Sequence, residues 1–216
     1  MIKIFNYFDK AENYRIERKI KIPKYLSSLL KFEFLRNGFF KQYEDKIVNS
    51  IYFDDNLSSF FKSNLDGDLL RVKPRIRWYD ENLSFVNHEF KIKKGFIGTK
   101  IVNKEILKNI NIKAKIIKKC SEYHSNFFQL KLHETSTIKY LRSYFIHPSK
   151  IRMTIDKEIF TKPKNNLNFI NMPFEVIEFK YKPDQDTFFR KSIFSKLKRI
   201  SFRMTKCSKY SESMMI

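Results

Sequence analysis

The most regular pattern in the chain is a period-two alternation over residues 69–79. Arg71, Lys73, Arg75 and Arg77 fall on one face, and Leu70, Val72, Ile76 and Trp78 on the other. Side chains of a strand point alternately to opposite faces, so this stretch predicts a strand with one cationic and one apolar face. The alternation recurs at 14–22, where Arg15, Glu17, Lys19 and Lys21 oppose Ile16, Ile20 and Ile22. It recurs at 83–93, with Phe85, Asn87, Glu89, Lys91 and Lys93 on one face, and at 150–160, with Arg152, Thr154, Asp156 and Glu158 against Ile151, Met153, Ile155 and Ile159. Segments 46–54, 97–104, 172–182 and about 199–206 complete the predicted strands. Pro74 lies inside one of them and cannot donate to a ladder, which predicts a bulge or an unpaired edge there.

Helical patterns are fewer. Residues 24–36 follow Pro23 and carry a broad apolar surface; 105–118 and 186–197 are the other two predicted helices. Residues 57–62 read as one helical turn capped by Asp55 or Asn56. Residues 127–132 and 137–145 fit helix or strand equally well.

Several cationic strand faces in one small protein repel one another unless anions sit between them, and an unpaired buried charge costs several kcal/mol or more. The apolar faces need covering, and the three helices can supply that cover. The predicted fold is therefore α+β, mainly β: a closed antiparallel barrel of about eight strands with helices packed outside. Its lumen would hold Arg15, Lys19, Arg71, Arg75, Arg77, Lys91, Lys100, Arg152 and Lys180, with Glu17, Glu89, Asp156 and Glu178 among them. Guanidinium forks grip phosphate oxygens in pairs and lysines act as point charges, so this is the lining of a phosphate-binding tunnel. Carboxylates in such a lining suit Mg²⁺ or Mn²⁺.

Composition narrows the field further. The chain has 216 residues with 42% hydrophobic, enough for one sizeable core, and reads as a single domain, 1–216. A net charge of +21 calls for an anionic partner. Four glycines leave no Gly-rich phosphate loop. Cys120 and Cys207 form neither a disulfide framework nor a metal spacing, and the four histidines are scattered. With no apolar run long enough to span a bilayer and no leader pattern, the expected location is cytoplasmic.

In order along the chain stand Arg15-x-Glu17-x-Lys19, Ser50-Ile51-Tyr52-Phe53-Asp54, Arg75-x-Arg77-x-Tyr79, Glu89-x-Lys91, Arg152-x-Thr154-x-Asp156, Glu178-x-Lys180 and Ser208-Lys209-Tyr210. This series resembles the VTC domain, the polyphosphate polymerase domain of the vacuolar transporter chaperone complex, within the triphosphate tunnel metalloenzymes. The resemblance covers about 13–210. It implies an enzyme that transfers the γ-phosphate of ATP to a polyphosphate chain with Mn²⁺ or Mg²⁺. It assigns Lys19, Arg75, Arg77, Lys91 and Arg152 to the reacting phosphates, with Arg15, Arg71, Lys100, Lys180 and Lys209 as further phosphate ligands and Glu178 as metal ligand. The implied partners are ATP and polyphosphate rather than nucleic acid, with a membrane protein as a possible recipient of product. Two departures stand out. The wider superfamily often opens with Glu-x-Glu-x-Lys, where this chain has Arg15. The loop between Phe160 and Met172 carries Lys162 and Lys164 but no arginine. Alternatives are a triphosphatase on the same fold, or a non-catalytic module binding polyphosphate or nucleic acid.

Overall fold

The structure is a computed structural model that describes residues 14–95, 97–106, 113–197 and 204–216. Its main strands are β1 (Arg15–Pro23), β2 (Phe40–Asp54), β3 (Leu70–Tyr79), β4 (Phe85–Lys94), β5 (Ile97–Ile106), β6 (His133–Ile146), β7 (Arg152–Pro163) and β9 (Phe174–Tyr181). Between the last two, β8 (Ile170–Asn171) is a two-residue addition to the edge of β7. Pairing runs β6-β2-β3-β4-β5-β1-β9-β7 and returns from β7 to β6, all antiparallel. Eight strands thus pair in a ring, but an uneven one. β2 and β6 share twelve residue pairs, whereas β1 and β5 meet at two, Arg15 with Gly98 and Ile16 with Ile97.

The helices are α1 (Ser27–Arg36), α2 (Ser59–Asp66), α3 (Lys113–Phe128) and a helical segment over 186–197 whose middle, Phe189–Phe194, is a π-helix. A last short helix, α4 (Lys209–Met214), had no counterpart in the sequence pattern. α1 and 186–197 match expectation. The helix expected at 105–118 does not: strand β5 runs to Ile106, and the helix spans Lys113–Phe128. Of the positions that prompted that expectation, Ile106 ends the strand, Leu107, Ile110 and Ile112 lie outside the described residues, and Ile116 and Ile117 lie in the helix. The ambiguous 137–145 is strand, hydrogen-bonded to β2 on one side and β7 on the other. The strand expected near 199–206 falls largely outside the described residues; Met204 makes an isolated antiparallel bridge to Ile20.

Pro74 occupies an unpaired edge. The β3–β4 register passes through it opposite Phe90, while the β2–β3 register ends one residue earlier, at Arg75 opposite Tyr52. The missing N–H therefore faces no partner on the β2 side.

Apolar side chains pack outside the ring in two layers. α1 and 186–197 cover β1, β7 and β9, burying Leu30, Phe34, Phe179, Phe189 and Ile193. α3 covers the outer face of β2, β3 and β4 with Ile116 and Cys120 against Ile51, Phe53, Ile76 and Trp78. The turn after β2 is set by two carboxylates. Asp55 Oδ1 accepts from the Leu57 and Ser59 amides, and Asp54 accepts from the amides of Phe60 and Phe61, so the first turn of α2 is capped from the strand end.

Phe179 is fully buried and its ring meets Phe34, Phe39 and Phe189 at centroid distances of 5.5, 6.0 and 5.0 Å. Phe179→Ala is expected to lower stability by about 3–5 kcal/mol in equilibrium denaturation, with the empty volume left between α1 and 186–197. A loss below ~1 kcal/mol would show that this layer does not hold the ring.

Candidate functional site

Strand registry brings the cationic faces together. Lys19 lies opposite Glu178 and Glu17 opposite Lys180 across β1 and β9. Lys73 lies opposite Lys91, and Arg75 opposite Glu89, across β3 and β4. Arg142 lies opposite Asp156 across β6 and β7. Because neighbours in register share a face, these side chains converge on the interior of the ring.

They form three linked knots. In the first, Arg75 grips Glu89 Oε2 through Nε at 2.7 Å and Nη2 at 2.5 Å, and donates from Nη1 to Tyr52 Oη at 2.9 Å. Arg77 donates to Ser50 Oγ and Tyr140 Oη, and Lys100 takes the other Glu89 oxygen at 3.1 Å. In the second, Lys91 Nζ sits 2.5 Å from Glu17 Oε2 and 3.9 Å from Glu178 Oε1, while Lys180 and Lys19 reach Glu178 at 2.8 and 3.7 Å. In the third, Arg142 pairs with both oxygens of Asp156, at 2.6 and 2.8 Å, and Lys209 contacts Asp156 Oδ2. Arg142 Nη2 also lies 3.9 Å from Glu178 Oε2, which joins the third knot to the second.

The electrostatics of these groups follow from crowding. Burial opposes ionisation of Glu17, Glu178 and Asp156. The cations around them outweigh it and hold all three carboxyls below their usual range: Lys91 for Glu17, Lys180 and Lys19 for Glu178, Arg142 and Lys209 for Asp156. Burial likewise opposes charge on Arg75, and Glu89 outweighs it. Cations fare differently. Burial pushes Lys180 down to about 8, against the pull of Glu178. Lys73 is held well below its ordinary value by burial and by Lys19 and Lys91. It donates to Ser208 Oγ at 2.5 Å and has no carboxylate partner among the described residues. Among the described residues the inward-facing cations, including Lys19, Lys73, Arg75, Arg77, Lys91, Lys93, Arg142, Lys180 and Lys209, outnumber the carboxylates Glu17, Glu89, Asp156 and Glu178 around which they gather. An anion entering the lumen would relieve that excess.

Most of the residues singled out in the sequence lie in these knots: Lys19, Arg75, Arg77, Lys91, Lys100, Lys180, Lys209 and Glu178. Three sit toward the margins. Arg15 is half-buried and pairs with Glu17 at 3.2 Å. Arg71 donates to the carbonyls of Asp68 and Gly95, so it ties two turns together. Arg152 is exposed at the start of β7, opposite Lys180. The structure adds Arg142 and Lys73. Lys73 was visible in the alternation but belonged to no motif. Arg142 was hidden because its inward neighbours on β6, Ile138, Tyr140 and Tyr144, are not charged, and the alternation of charge that marked the other strands is missing.

Glu17 and Glu178 converge on one ammonium, that of Lys91, so a cation already stands between them. Two carboxylates aimed at one cation are a hard oxygen donor set. A hard divalent cation, which the family resemblance implies, fits this pair.

At the end of the lumen marked by Pro23, Asp54 and Pro163, α4 packs against inward-facing side chains. Tyr210 stacks on Tyr52 at 4.8 Å and donates to Asp54 Oδ2 at 2.7 Å. Ser213 is buried between Ser136 and Thr161, hydrogen-bonded to both. Glu212 pairs with Lys21 at 2.9 Å.

Comparison with known proteins places the fold and the family. No curated protein matches the chain in sequence. Among solved structures, a Hippeastrum protein described as an adenylyl cyclase candidate with a dominant triphosphatase activity superposes with TM-score 0.55 at 14% identity, covering 91% of this chain and 93% of that one. A Vibrio parahaemolyticus protein described as an adenylate cyclase candidate gives TM-score 0.54 at 11% identity, covering 93% and 98%. A protein from Pyrococcus horikoshii OT3 gives 0.51 at 14% identity, covering 92% and 97%. The fold is therefore one that these proteins share. The VTC domain family matches residues 7–216, essentially the whole chain, and the protein belongs to that family.

Proposed function

We propose that the ring is a tunnel that binds the triphosphate of ATP and transfers its γ-phosphate to the end of a polyphosphate chain. The observation that carries this reading is the excess of inward-facing cations over carboxylates inside the ring, with Lys73 facing no carboxylate among the described residues. Single-stranded nucleic-acid readers interleave cations with aromatic stacking platforms on an exposed face. Here the cations are inward and the carboxylates among them would repel a bare phosphate backbone, which supports a metal-assisted enzyme over a binding module.

Phosphoryl transfer asks little covalent work of a protein; positioning and neutralisation of charge on the equatorial oxygens are the main tasks. Arg75 and Arg77 offer forks held rigid by Glu89, Tyr52 and Ser50. Lys19, Lys91 and Lys180 surround Glu178 and can shift from it to phosphate oxygens. Arg15 and Arg152, at the far end of β1 and β7 from α4, would receive the incoming chain, with Arg71, Lys100 and Lys209 adding positive field. Glu178 and Glu17 would hold Mg²⁺ or Mn²⁺, which would supply further neutralisation of phosphate charge. The terminal oxygen of the acceptor then attacks the γ-phosphorus and the nucleoside diphosphate leaves.

A second reading is hydrolysis of triphosphate with water as acceptor. The position of α4 favours it. With Tyr210 and Ser213 bound to inward-facing residues, one end of the lumen is filled, whereas a growing polymer needs a clear path.

The deciding assay incubates the full chain with ATP and Mn²⁺, with and without a short polyphosphate primer, and reads both long polyphosphate on a gel and free phosphate. The expected result is primer-stimulated chain growth that falls about a hundredfold or more in Glu178→Ala and Arg75→Ala. Free phosphate without chains would replace the polymerase by the triphosphatase. Tight polyphosphate binding without either product would leave a binding module.

Lys73→Met gives a test with two signs. Removing an amine that lacks a carboxylate partner is expected to raise the denaturation midpoint of the ligand-free protein. The same change is expected to weaken binding of inorganic triphosphate about tenfold or more by calorimetry. Loss of stability together with unchanged affinity would remove Lys73 from the site.

A further inference from the structure

A separate group of ligating side chains lies outside the ring, under α3. His88 is on β4, Glu105 on β5 and Cys120 on α3. One ring nitrogen of His88, one carboxylate oxygen of Glu105 and the Cys120 sulfur all lie within 4.8 Å of one another. His88 precedes the inward-facing Glu89, so strand alternation sets it on the opposite face of the wall from the phosphate-binding knots.

We propose that His88, Glu105 and Cys120 form a binding site for a zinc-class divalent ion, distinct from the lumen. The donor set is the first reason. One nitrogen, one sulfur and one oxygen from three different elements are the ligand types that Zn²⁺ takes, usually with a fourth position left to water. The ligand atoms of a tetrahedral zinc ion stand roughly 3.2–3.8 Å apart. The present spacing therefore needs adjustments of about 1 Å, and half-buried Glu105 is the side chain free to make them. His88 Nε2 and Glu105 Oε2, now 2.7 Å apart in a hydrogen bond, would open to admit the ion.

The surroundings are the second reason. A metal-bound histidine usually has its other ring nitrogen engaged, and His88 Nδ1 lies 3.1 Å from Nε2 of the buried His124. The far nitrogen of His124 is itself buried with no hydrogen-bond partner among the described residues. The second oxygen of Glu105 pairs with the surface Lys119 at 2.6 Å, leaving Oε2 for the ion. Tyr123 covers the His88 ring at a centroid distance of 4.2 Å. Charge balances as well: thiolate and carboxylate together offset the ion, and the Cys120 thiol proton passes to solvent on binding. The ion would fasten α3 to β4 and β5, the outer layer that backs Arg75 and Glu89.

The test uses the chelator-treated full chain and Co²⁺ as a spectroscopic substitute for Zn²⁺. The expected result is a thiolate-to-cobalt charge-transfer band with the visible bands of a four-coordinate ion, both bleached by added Zn²⁺. The lumen carboxylates offer only oxygen, so Glu178→Ala should leave the spectrum intact, as should Cys207→Ala, while Cys120→Ala should abolish it. Should Cys120→Ala fail to fold, Glu105→Gln keeps the shape of the site and is expected to weaken Zn²⁺ about tenfold or more in competition with a colorimetric chelator. Absence of the charge-transfer band in the wild-type chain, its survival in Cys120→Ala, its loss in Cys207→Ala, or unchanged zinc affinity in Glu105→Gln would each overturn the site.

Discussion

Everything in this structure is arranged around a charge problem: strands whose polar faces are mostly cationic have been rolled so that those faces meet. Ammonium and guanidinium groups that outnumber the carboxylates among them stay tolerable only because each carboxylate serves several cations at once. Glu178 is shared among Lys19, Lys91, Lys180 and Arg142, and Glu89 among Arg75, Arg77 and Lys100. Removing a partner from such a network strands the rest in low dielectric, which is why buried pairs matter more when broken than when intact. Burial disfavours the charge on Lys73 and Lys180, and for Lys73 the neighbouring Lys19 and Lys91 add to it, so the cations here are not fully matched by carboxylates.

The scaffold bears this cost through its outer layers. Phe34, Phe179 and Phe189 on one side, and Ile51, Phe53, Trp78 and Ile116 on the other, bury the apolar faces that the same alternation generates. Each strand thus contributes to lumen and core together, and neither face can change register without exposing the other. The uneven ring, with its two-pair contact between β1 and β5, is the place where this coupling is thinnest.

Asp54 links local and global structure. It ends β2, caps α2 through the amides of Phe60 and Phe61, and receives the hydroxyl of Tyr210 from the last helix. One buried carboxylate therefore fixes where a strand ends, where a helix begins, and how α4 sits against the lumen. Outside the ring, His88, Glu105 and Cys120 show the reverse situation: polar side chains gathered beside an apolar layer, where packing alone would not have chosen them.

The sequence by itself determined the strands with charged alternation, two of the three predicted helices, the unpaired edge at Pro74, and most of the lumen side chains. Period-two patterning is local, and a face of arginines and lysines cannot be mistaken for a core face. The order of short motifs from Arg15 to Tyr210 was enough to point to the family. Tertiary structure alone decided the rest. Arg142 has no charged alternation around it, and only the pairing of β6 with β7 sets it on Asp156. Lys73 looks like its neighbours until registry leaves it without a carboxylate. The shift of a helix from 105–118 to Lys113–Phe128 reflects β5, whose pairing with β4 extends to Ile106 and overrides a local apolar spacing. The helix at Lys209–Met214 is too short to persist alone and exists because Tyr52, Asp54, Ser136 and Thr161 hold it. His88, Glu105 and Cys120 are far apart in the chain, and no spacing rule could join residues that only the packing of α3 on β4 and β5 makes neighbours.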